Sequence, residues 1–502
     1  MHIVHLTTEL APVAKVGGLA DVVYSLAHEL SKLGHEVEVI LPKYDTFDYN
    51  KAKNLKVHFR DLWSYDGHDK FNNTIWSCEV NGVKVLLVEP HHPRYFFSRG
   101  TIYGCADDTE RFLYFTRTAI EFLFKSGRHP DCIHLHDWPV AVGSTLAKDM
   151  YLPLGFKCGG TVLTIHNMEH QGKCNAHNLI KIGLSGFNYL RADKYQDPSY
   201  SDVINLLKGG IEDCNAITTV SPTYAKEILT PEGGHGLDPC LKKNQKKIHG
   251  ILNGIDTEYW NPKTDPHLSH KYQSGHDGCD EKLNKILKAK AENKRLLKER
   301  FNIASTKGPL VGCVTRLVAQ KGLGLIENAI HYTIKNEGMF ILLGSEYSPA
   351  TKQSFLDIER SYKPKGTLAL HLERDEELAH LIFAASDIII VPSLFEPCGL
   401  TQMIALRYGS IPLVRKTGGL ADTIFDVDNS GQPPEKQNGF VFETPDAEAI
   451  DNALQRAFSL YKNDKNSWKT LIANALKFDY SWGSSILKYV SIYHSLSLEN
   501  RS

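Results

Sequence analysis

The chain has 502 residues, 42% hydrophobic and 23% charged, with 57 Lys+Arg against 58 Asp+Glu and a net charge of −1. That balance does not point to nucleic acid or an anionic membrane as a partner, and the length suits two or three domains. The longest apolar runs, such as 83–88 and 388–391, are strand-sized, well short of the roughly 20 residues that cross a bilayer, so no membrane and no nucleic acid partner is expected.

The first residues, 2–9, read as a buried strand rather than a signal peptide. A Gly-containing loop follows, and then a helix over 19–33. Leu19, Val22, Val23, Leu26, Ala27, Leu30 and Leu33 fall on one face of it, and Gly34 is placed to stop it. A strand at 36–41 completes a βαβ unit, the building block of parallel sheets. Residues 60–80 suggest a hairpin at the sheet edge. Strands are expected at 83–88, 132–135, 161–165 and 216–220, with a helix at 109–125. Residues 172–200 read as loops with short helices.

Near 247–253 a short strand ends in Asn253-Gly254, and Pro262, Pro266 and the polar stretch 263–281 read as a linker. A charged helix at 282–301 opens the second half. There, strands are expected at 310–315, 339–343, 367–372, 387–391 and 410–414. Residues 450–494 read as helical throughout, and the last helix is placed to fold back on the first domain. The fold class is therefore α/β, with two doubly wound, Rossmann-like domains at 1–255 and 256–478 and a C-terminal helix at 479–502. Ten cysteines, none in a Cys-x-x-Cys spacing, suit reduced thiols in a cytoplasmic protein.

One heptapeptide occurs twice, the same but for one residue. Lys15-Val-Gly-Gly-Leu-Ala-Asp21 and Lys416-Thr-Gly-Gly-Leu-Ala-Asp422 each follow an expected strand and precede a helix. Glycine allows close approach to the backbone, and the N–H groups at a helix start favour an anion. Two such loops suggest a cleft that holds a phosphorylated ligand from both sides; each is also compatible with a tight βα turn. Neither is a Walker A motif, and Gly322-Leu-Gly324 lacks the third glycine of a dinucleotide fingerprint.

Arg316 and Lys321 follow the strand at 310–315, where a cation pair can neutralise a diphosphate leaving group, or simply be an exposed basic turn. Ser393-Leu-Phe-Glu396-Pro-Cys-Gly-Leu-Thr401 follows the strand at 387–391. Its glutamate suits sugar hydroxyls, or a helix cap. His134, His136, Asp137 and Trp138, with His166 and Asn167, end two strands of the first half. No third-ligand spacing supports a metal, and polar groups with an aromatic ring aimed at sugar are the better reading.

In order and spacing these motifs resemble the bacterial glycogen synthases and plant starch synthases, a family of GT-B glycosyltransferases. The likeness runs from Lys15 to Trp482. It takes in His136-Asp137-Trp138, Thr164-Ile-His166-Asn167, Val220-Ser-Pro-Thr-Tyr-Ala, Gly250-Ile-Leu-Asn253-Gly-Ile-Asp256, Thr315-Arg316, Gln320-Lys321-Gly322, Phe395-Glu396-Pro-Cys-Gly-Leu-Thr-Gln and Thr417-Gly-Gly-Leu-Ala-Asp. The resemblance implies a GT-B fold with the active site in a cleft between the two domains. It implies retaining transfer of glucose from ADP-glucose to the non-reducing 4-hydroxyl of an α-1,4-glucan such as glycogen.

By the same resemblance, Lys15 and Gly18 lie against the donor, Arg316 and Lys321 clamp its diphosphate, and His166 assists an oxocarbenium-like state. Glu396 holds the glucose, and Cys398, Gly399, Leu400, Thr401, Thr417, Gly418 and Gly419 line the donor pocket. Asp21, Asp137, Trp138 and Asn167 face the sugar or acceptor, Asn253 the donor or the sugar, and Tyr95 stacks on adenine. No metal and no other cofactor is expected, because Arg316 and Lys321 supply the charge. Val16, where the family often has Thr, and Leu394, where it often has Arg, depart from the pattern.

Overall fold

The computed structural model describes residues 1–275, 279–345, 347–429 and 431–499. Residues 276–278 of the expected linker and 500–502 of the expected terminal helix lie outside the described residues. The chain divides into two compact units, Met1–Gly254 with Trp482–Ser502, and Ile255–Ser481.

The first unit is built on a nine-stranded sheet. Its strands are β1 (His2–Leu6), β2 (Glu36–Pro42), β3 (Lys53–Asp66), β4 (Asp69–Val80), β5 (Val83–Pro90), β6 (Cys132–His136) and β7 (Thr161–Ile165), then β10 (Ala216–Thr219) and β11 (Ile248–Gly250). The order is β11-β10-β7-β6-β1-β2-β5-β4-β3. Seven strands run parallel, and the β3–β4 hairpin adds an antiparallel edge. Every residue of β6 and β7 is buried, as expected of parallel strands covered on both faces. On β3, half-exposed and exposed positions dominate, the pattern of an edge. Two further short strands, β8 (Lys173–Cys174) and β9 (Ile204–Asn205), pair with each other in the 172–205 region.

The helix Gly18–Lys32 buries Val22, Val23, Leu26, Ala27 and Leu30, and Gly34 ends it in the left-handed region at φ 83°. The final helix, Gly483–Glu499, belongs to this unit. Its Tyr493 hydroxyl lies 2.8 Å from His134 Nδ1 on β6.

The second unit holds a six-stranded, wholly parallel sheet of β12 (Leu310–Arg316), β13 (Met339–Ser345), β14 (Leu368–His371), β15 (Ile388–Val391), β16 (Ile411–Arg415) and β17 (Phe440–Phe442), ordered β14-β13-β12-β15-β16-β17. Strand β17, three residues long, is not apparent in the sequence. The stretch 450–494 is not one continuous helical region. It breaks at Asp464, whose carboxylate caps the next helix at Ser467 N, and again after Ala475.

Each sheet reverses its winding once. From β1 the chain winds outward through β2 and β5, and the strands after β6 go the other way; from β12 it winds through β13 and β14, and β15 begins the return. Ligands of open α/β sheets bind outside the carboxyl ends of the strands at such reversals. The singled-out residues cluster there: Asp137 after β6 beside β1, and Arg316, Lys321 and Glu396 after β12 and β15.

Candidate functional site

In the second unit, Arg316 is the half-buried last residue of β12, and the single turn Ala319–Lys321 follows. Gly322 ends that turn at φ 72°, and a Cβ there would lie 2.4 Å from the Pro392 carbonyl oxygen. Only glycine lets the turn press against the end of β15, and this close approach delivers Lys321 to Glu396. Lys321 Nζ donates to Glu396 Oε2 at 2.5 Å, and Ser393 Oγ donates to the same oxygen at 2.8 Å. The Ser393–Glu396 backbone is braced from two sides. Gln320 Nε2 donates to Phe395 O at 3.1 Å and Leu394 N to Gln320 O at 2.8 Å; Arg415 donates to Ser393 O at 2.9 Å and also to Leu394 O.

Glu396 is buried. It does not cap the following helix, Thr401–Arg407, which has Leu400 at its N-cap and no side-chain cap. Gly399 sits at φ 73° over Gln402, whose amide donates to the Cys398 and Gly399 carbonyls at 3.1 and 2.9 Å. Cys398 is buried, and Leu400 and Thr401 are half-buried.

The second heptapeptide packs directly on this loop. Thr417, Gly418 and Gly419 are buried, and Gly419 N donates to Glu396 O and Pro397 O, both at 3.1 Å. A Cβ on Gly418 would lie 2.0 Å from Glu396 O, and one on Gly419 would lie 2.1 Å from Cys398 O. Lys416 points away to an exposed pair with Glu443 at 2.7 Å.

The first heptapeptide differs. Its backbone N–H groups at Val16 and Gly17 do not form an open anion cradle, because the carboxylate of buried Glu9 fills it, accepting from them at 2.6 and 2.8 Å. Tyr103 OH donates to the other Glu9 oxygen at 2.9 Å, and burial raises the Glu9 carboxyl above its ordinary value despite these donors. Gly17 and Gly18 have no atom within 4 Å of where a Cβ would stand. Lys15 Nζ lies 2.7 Å from Asp21 Oδ1, so the cation and the acid at the ends of this loop hold each other.

Beside it, three histidines form a line through the ends of β1, β6 and β7. His5 Nδ1 is 3.0 Å from His136 Nε2, and His136 Nδ1 is 3.1 Å from His166 Nε2. Burial holds His5 and His166 down to about 3 and His136 well below its ordinary value, so all three are neutral at physiological pH. Asp137 accepts His166 N at 2.7 Å and takes a further backbone hydrogen bond from Asn167. It sits at φ 61°, ψ −177°, a strained region for any residue but glycine, and burial pushes its carboxyl up to about 7. Asn167 Oδ1 accepts Glu169 N at 3.0 Å.

The ring nitrogens of His5, His134 and His136 lie within 4.8 Å of one another. His134, however, engages both of its own, with Tyr493 at 2.8 Å and Thr164 at 2.5 Å. Trp138 packs edge-on against Phe112 and over Gly172, where a Cβ would come 2.3 Å from the ring, so its ring is a wall of the fold. Asn253 is buried, and its Oδ1 has no hydrogen-bond partner among the described residues. Tyr95 is 70% exposed and, with Tyr49, Trp76 and Lys43, lines a cavity of about 470 Å³ in the first unit.

The starch synthase catalytic domain model matches residues 2–243, and the glycosyl transferases group 1 model matches 295–476. The chain is 50% identical over 500 residues to the glycogen synthase of Protochlamydia amoebophila, covering all of both chains. The chain belongs to the glycogen and starch synthase family. It is a glycosyltransferase of that family, and its structure resembles the catalytic domain of Arabidopsis thaliana starch synthase IV bound to ADP and acarbose, with a TM-score of 0.93, 45% identity and 99% of each chain covered. Sucrose-phosphate synthase of Thermosynechococcus elongatus, at 17% identity and TM-score 0.60 over 98% of each chain, shares the fold.

Seen as a glycogen or starch synthase, the chain has site-building residues that its sequence does not advertise. Glu9 and His5 lie in what reads as an ordinary buried strand, and Ser393 in what reads as a loop start. A buried acid at the end of a strand and just ahead of a Gly-Gly turn is the one signal that points to Glu9.

Proposed function

We propose that the chain elongates an α-1,4-glucan by transferring glucose from ADP-glucose to the non-reducing 4-hydroxyl, with retention of configuration and in the cytoplasm. The observation that carries this reading is the meeting of Lys321 with Glu396, beside the end of β12 that bears Arg316, at the winding reversal of the second sheet. The ADP in the complex of the Arabidopsis relative supports an adenine nucleotide donor. The ten cysteines, none in a Cys-x-x-Cys spacing, and the absence among the described residues of a helix long and apolar enough to cross a membrane, are in keeping with the proposed compartment.

In this reading Arg316 and Lys321 take up the charge that develops on the departing diphosphate, and Glu396 turns to the glucose hydroxyls as Lys321 turns to phosphate. The C1–phosphate bond breaks, the bond from C1 to the acceptor's O4 forms on the same face, and the acceptor proton passes to the leaving phosphate oxygen. No divalent ion is needed, since the two cations supply the charge. Cys398, Gly399, Leu400, Thr401 and the Thr417–Gly419 loop shape the donor side. Lys15, Gly18, Tyr95 and Asn253 are assigned to the donor as well, and Asp21, Asp137, Trp138 and Asn167 to sugar.

His166 acts as a neutral dipole, with its tautomer set by the histidine line. His5 Nε2 is buried and has no hydrogen-bond partner among the described residues. A bare lone pair is the less costly orphan there than an N–H. With His5 Nε2 bare, His5 Nδ1–H donates to His136, His136 Nδ1–H donates to His166 Nε2, and His166 is left with its proton on Nδ1.

The test is incorporation of labelled glucose into glycogen, with a chelator present. ADP-glucose should give incorporation that survives chelation and falls about 10²–10³-fold in Lys321→Ala, the range seen when one preorganised charge-stabilising donor is removed. Preference for UDP-glucose would overturn the donor assignment, and no incorporation from either donor would overturn the reading as a whole.

A further inference from the structure

A second cluster of ligating side chains lies in the second unit, apart from every residue assigned above. It is built on Asp265, a fully buried aspartate on the segment that opens this unit. Asp265 Oδ2 accepts His380 Nδ1 at 2.7 Å and Tyr408 OH at 2.6 Å, while Oδ1 accepts His267 N at 2.9 Å. One carboxylate therefore fixes the ring of one histidine and the backbone of another. With Nδ1–H given to Asp265, Nε2 is the His380 ring nitrogen left to take a ligand. That nitrogen is buried and has no hydrogen-bond partner among the described residues.

An unsatisfied buried nitrogen on a ring otherwise held so firmly is costly unless something else takes it. Trp260 stacks on the ring at 4.2 Å, so the side chain is also fixed in plane. Glu376 stands four residues before His380 on the helix Glu376–Ala385, which puts both on one helix face. Tyr259 OH donates to Glu376, and a carboxylate retains further acceptor sites after one such bond. His267, Glu376 and His380 each offer one ligand atom, and the three atoms lie within 4.8 Å of one another. Their exposure is graded: His380 is buried, His267 half-buried and Glu376 exposed, which gives an ion a path from solvent.

We propose that His267, Glu376 and His380 form a binding site for one divalent transition-metal ion of the Zn²⁺ class. Two imidazoles and a carboxylate are the donor set that such ions take in three-ligand sites, with a fourth position left to water. A metal-bound histidine characteristically gives its other N–H to a carboxylate, which is the His380–Asp265 arrangement. The ion would tie the 259–267 segment to the helix Glu376–Ala385 and is a structural clamp, with no part in the glucosyl transfer.

The site is read with Co²⁺ and Zn²⁺ alone, on the full chain stripped with a chelator and dialysed. The expected result is one Co²⁺ per chain, with the intense visible absorption of a low-coordinate nitrogen–oxygen site, displaced by Zn²⁺. His267→Ala, on a half-buried side chain, and Glu376→Gln, on an exposed one, should each weaken binding by about 10–100-fold or more, at least the range for loss of an outer partner, and Glu376→Gln should leave the metal-free melting temperature in place. No saturable binding by the stripped chain, or unchanged affinity in either variant, would overturn the proposal.

Discussion

Two heptapeptides that differ at one residue lead from a strand into a helix, one in each unit, and their glycines serve different neighbours. At Gly418 and Gly419 the space a Cβ would occupy is filled by the carbonyls of Glu396 and Cys398. At Gly17 and Gly18 it is empty to 4 Å. A glutamate stands behind each loop. Glu9 meets the first loop with its side chain, accepting Val16 and Gly17 N–H; Glu396 meets the second with its backbone oxygen, accepting Gly419 N–H, and keeps its side chain for Lys321. A loop motif thus fixes a backbone path and leaves its use to what packs behind it. In the second unit glycine serves the protein's own packing. In the first, packing does not require it.

The largest effect that tests this contrast is expected at Gly419. Gly419→Ala drives a methyl into the Cys398 carbonyl and displaces the Glu396 loop. Overpacking of this kind costs about 1–3 kcal/mol or more, a drop on the order of 5–10 °C in the melting temperature of this unit, and should bring a large loss of transferase activity. Calorimetry beside the incorporation assay checks both; a variant as stable and active as the parent would break the contrast.

The two loop lysines come next. Lys416→Ala removes one exposed pair worth about 0–1 kcal/mol and should leave activity nearly unchanged. Lys15→Ala removes a cation from beside the open glycines and should lower kcat/KM for ADP-glucose by about 10–100-fold, as expected for a charge-assisted contact of about 1.5–3 kcal/mol. Equal losses from the two would make the loops equivalent after all.

A smaller effect lies in pH. Unlike Asp21, which Lys15 holds, Glu9 and Asp137 have no cation on them among the described residues comparable to Lys321 on Glu396, and burial raises both. For Asp137 the folded value of about 7 stands above the ordinary 3.8, so the folded state holds the proton more tightly. The stability this contributes is full below 3.8 and is lost as pH rises through about 7. Asp137→Asn keeps an acceptor for His166 N and removes the titration. Denaturant midpoints of the variant should therefore fall less than the parent's between pH 4 and pH 7.5, and identical slopes would refute the assignment.

Much of this was legible in the sequence, because parallel α/β units put their ligand groups just after strands and the strands here are short apolar runs. Arg316, Lys321 and Glu396 were visible for that reason. Their mutual arrangement was not, since Lys321 and Glu396 meet across 75 residues through the pairing of β12 with β15. The histidine line was hidden in the same way. His5 and His136 are 131 residues apart and meet only through the register of β1 against β6. Strand β17 escaped because three residues give no period, and the breaks in the C-terminal helices escaped because an apolar period does not mark where a chain must turn.

The most direct measurement is made on Gly18. A methyl there meets no atom of the described residues within 4 Å beyond its chain neighbours and its own helix backbone, so Gly18→Ala should melt as the parent does, within about 0.5 kcal/mol of its stability. If the open face of this loop is kept for the donor, KM for ADP-glucose should rise by about tenfold, roughly 1.4 kcal/mol of lost binding. An unchanged KM, or a loss of stability like that of Gly419→Ala, would contradict the account of the first loop as the one whose glycines are reserved for substrate.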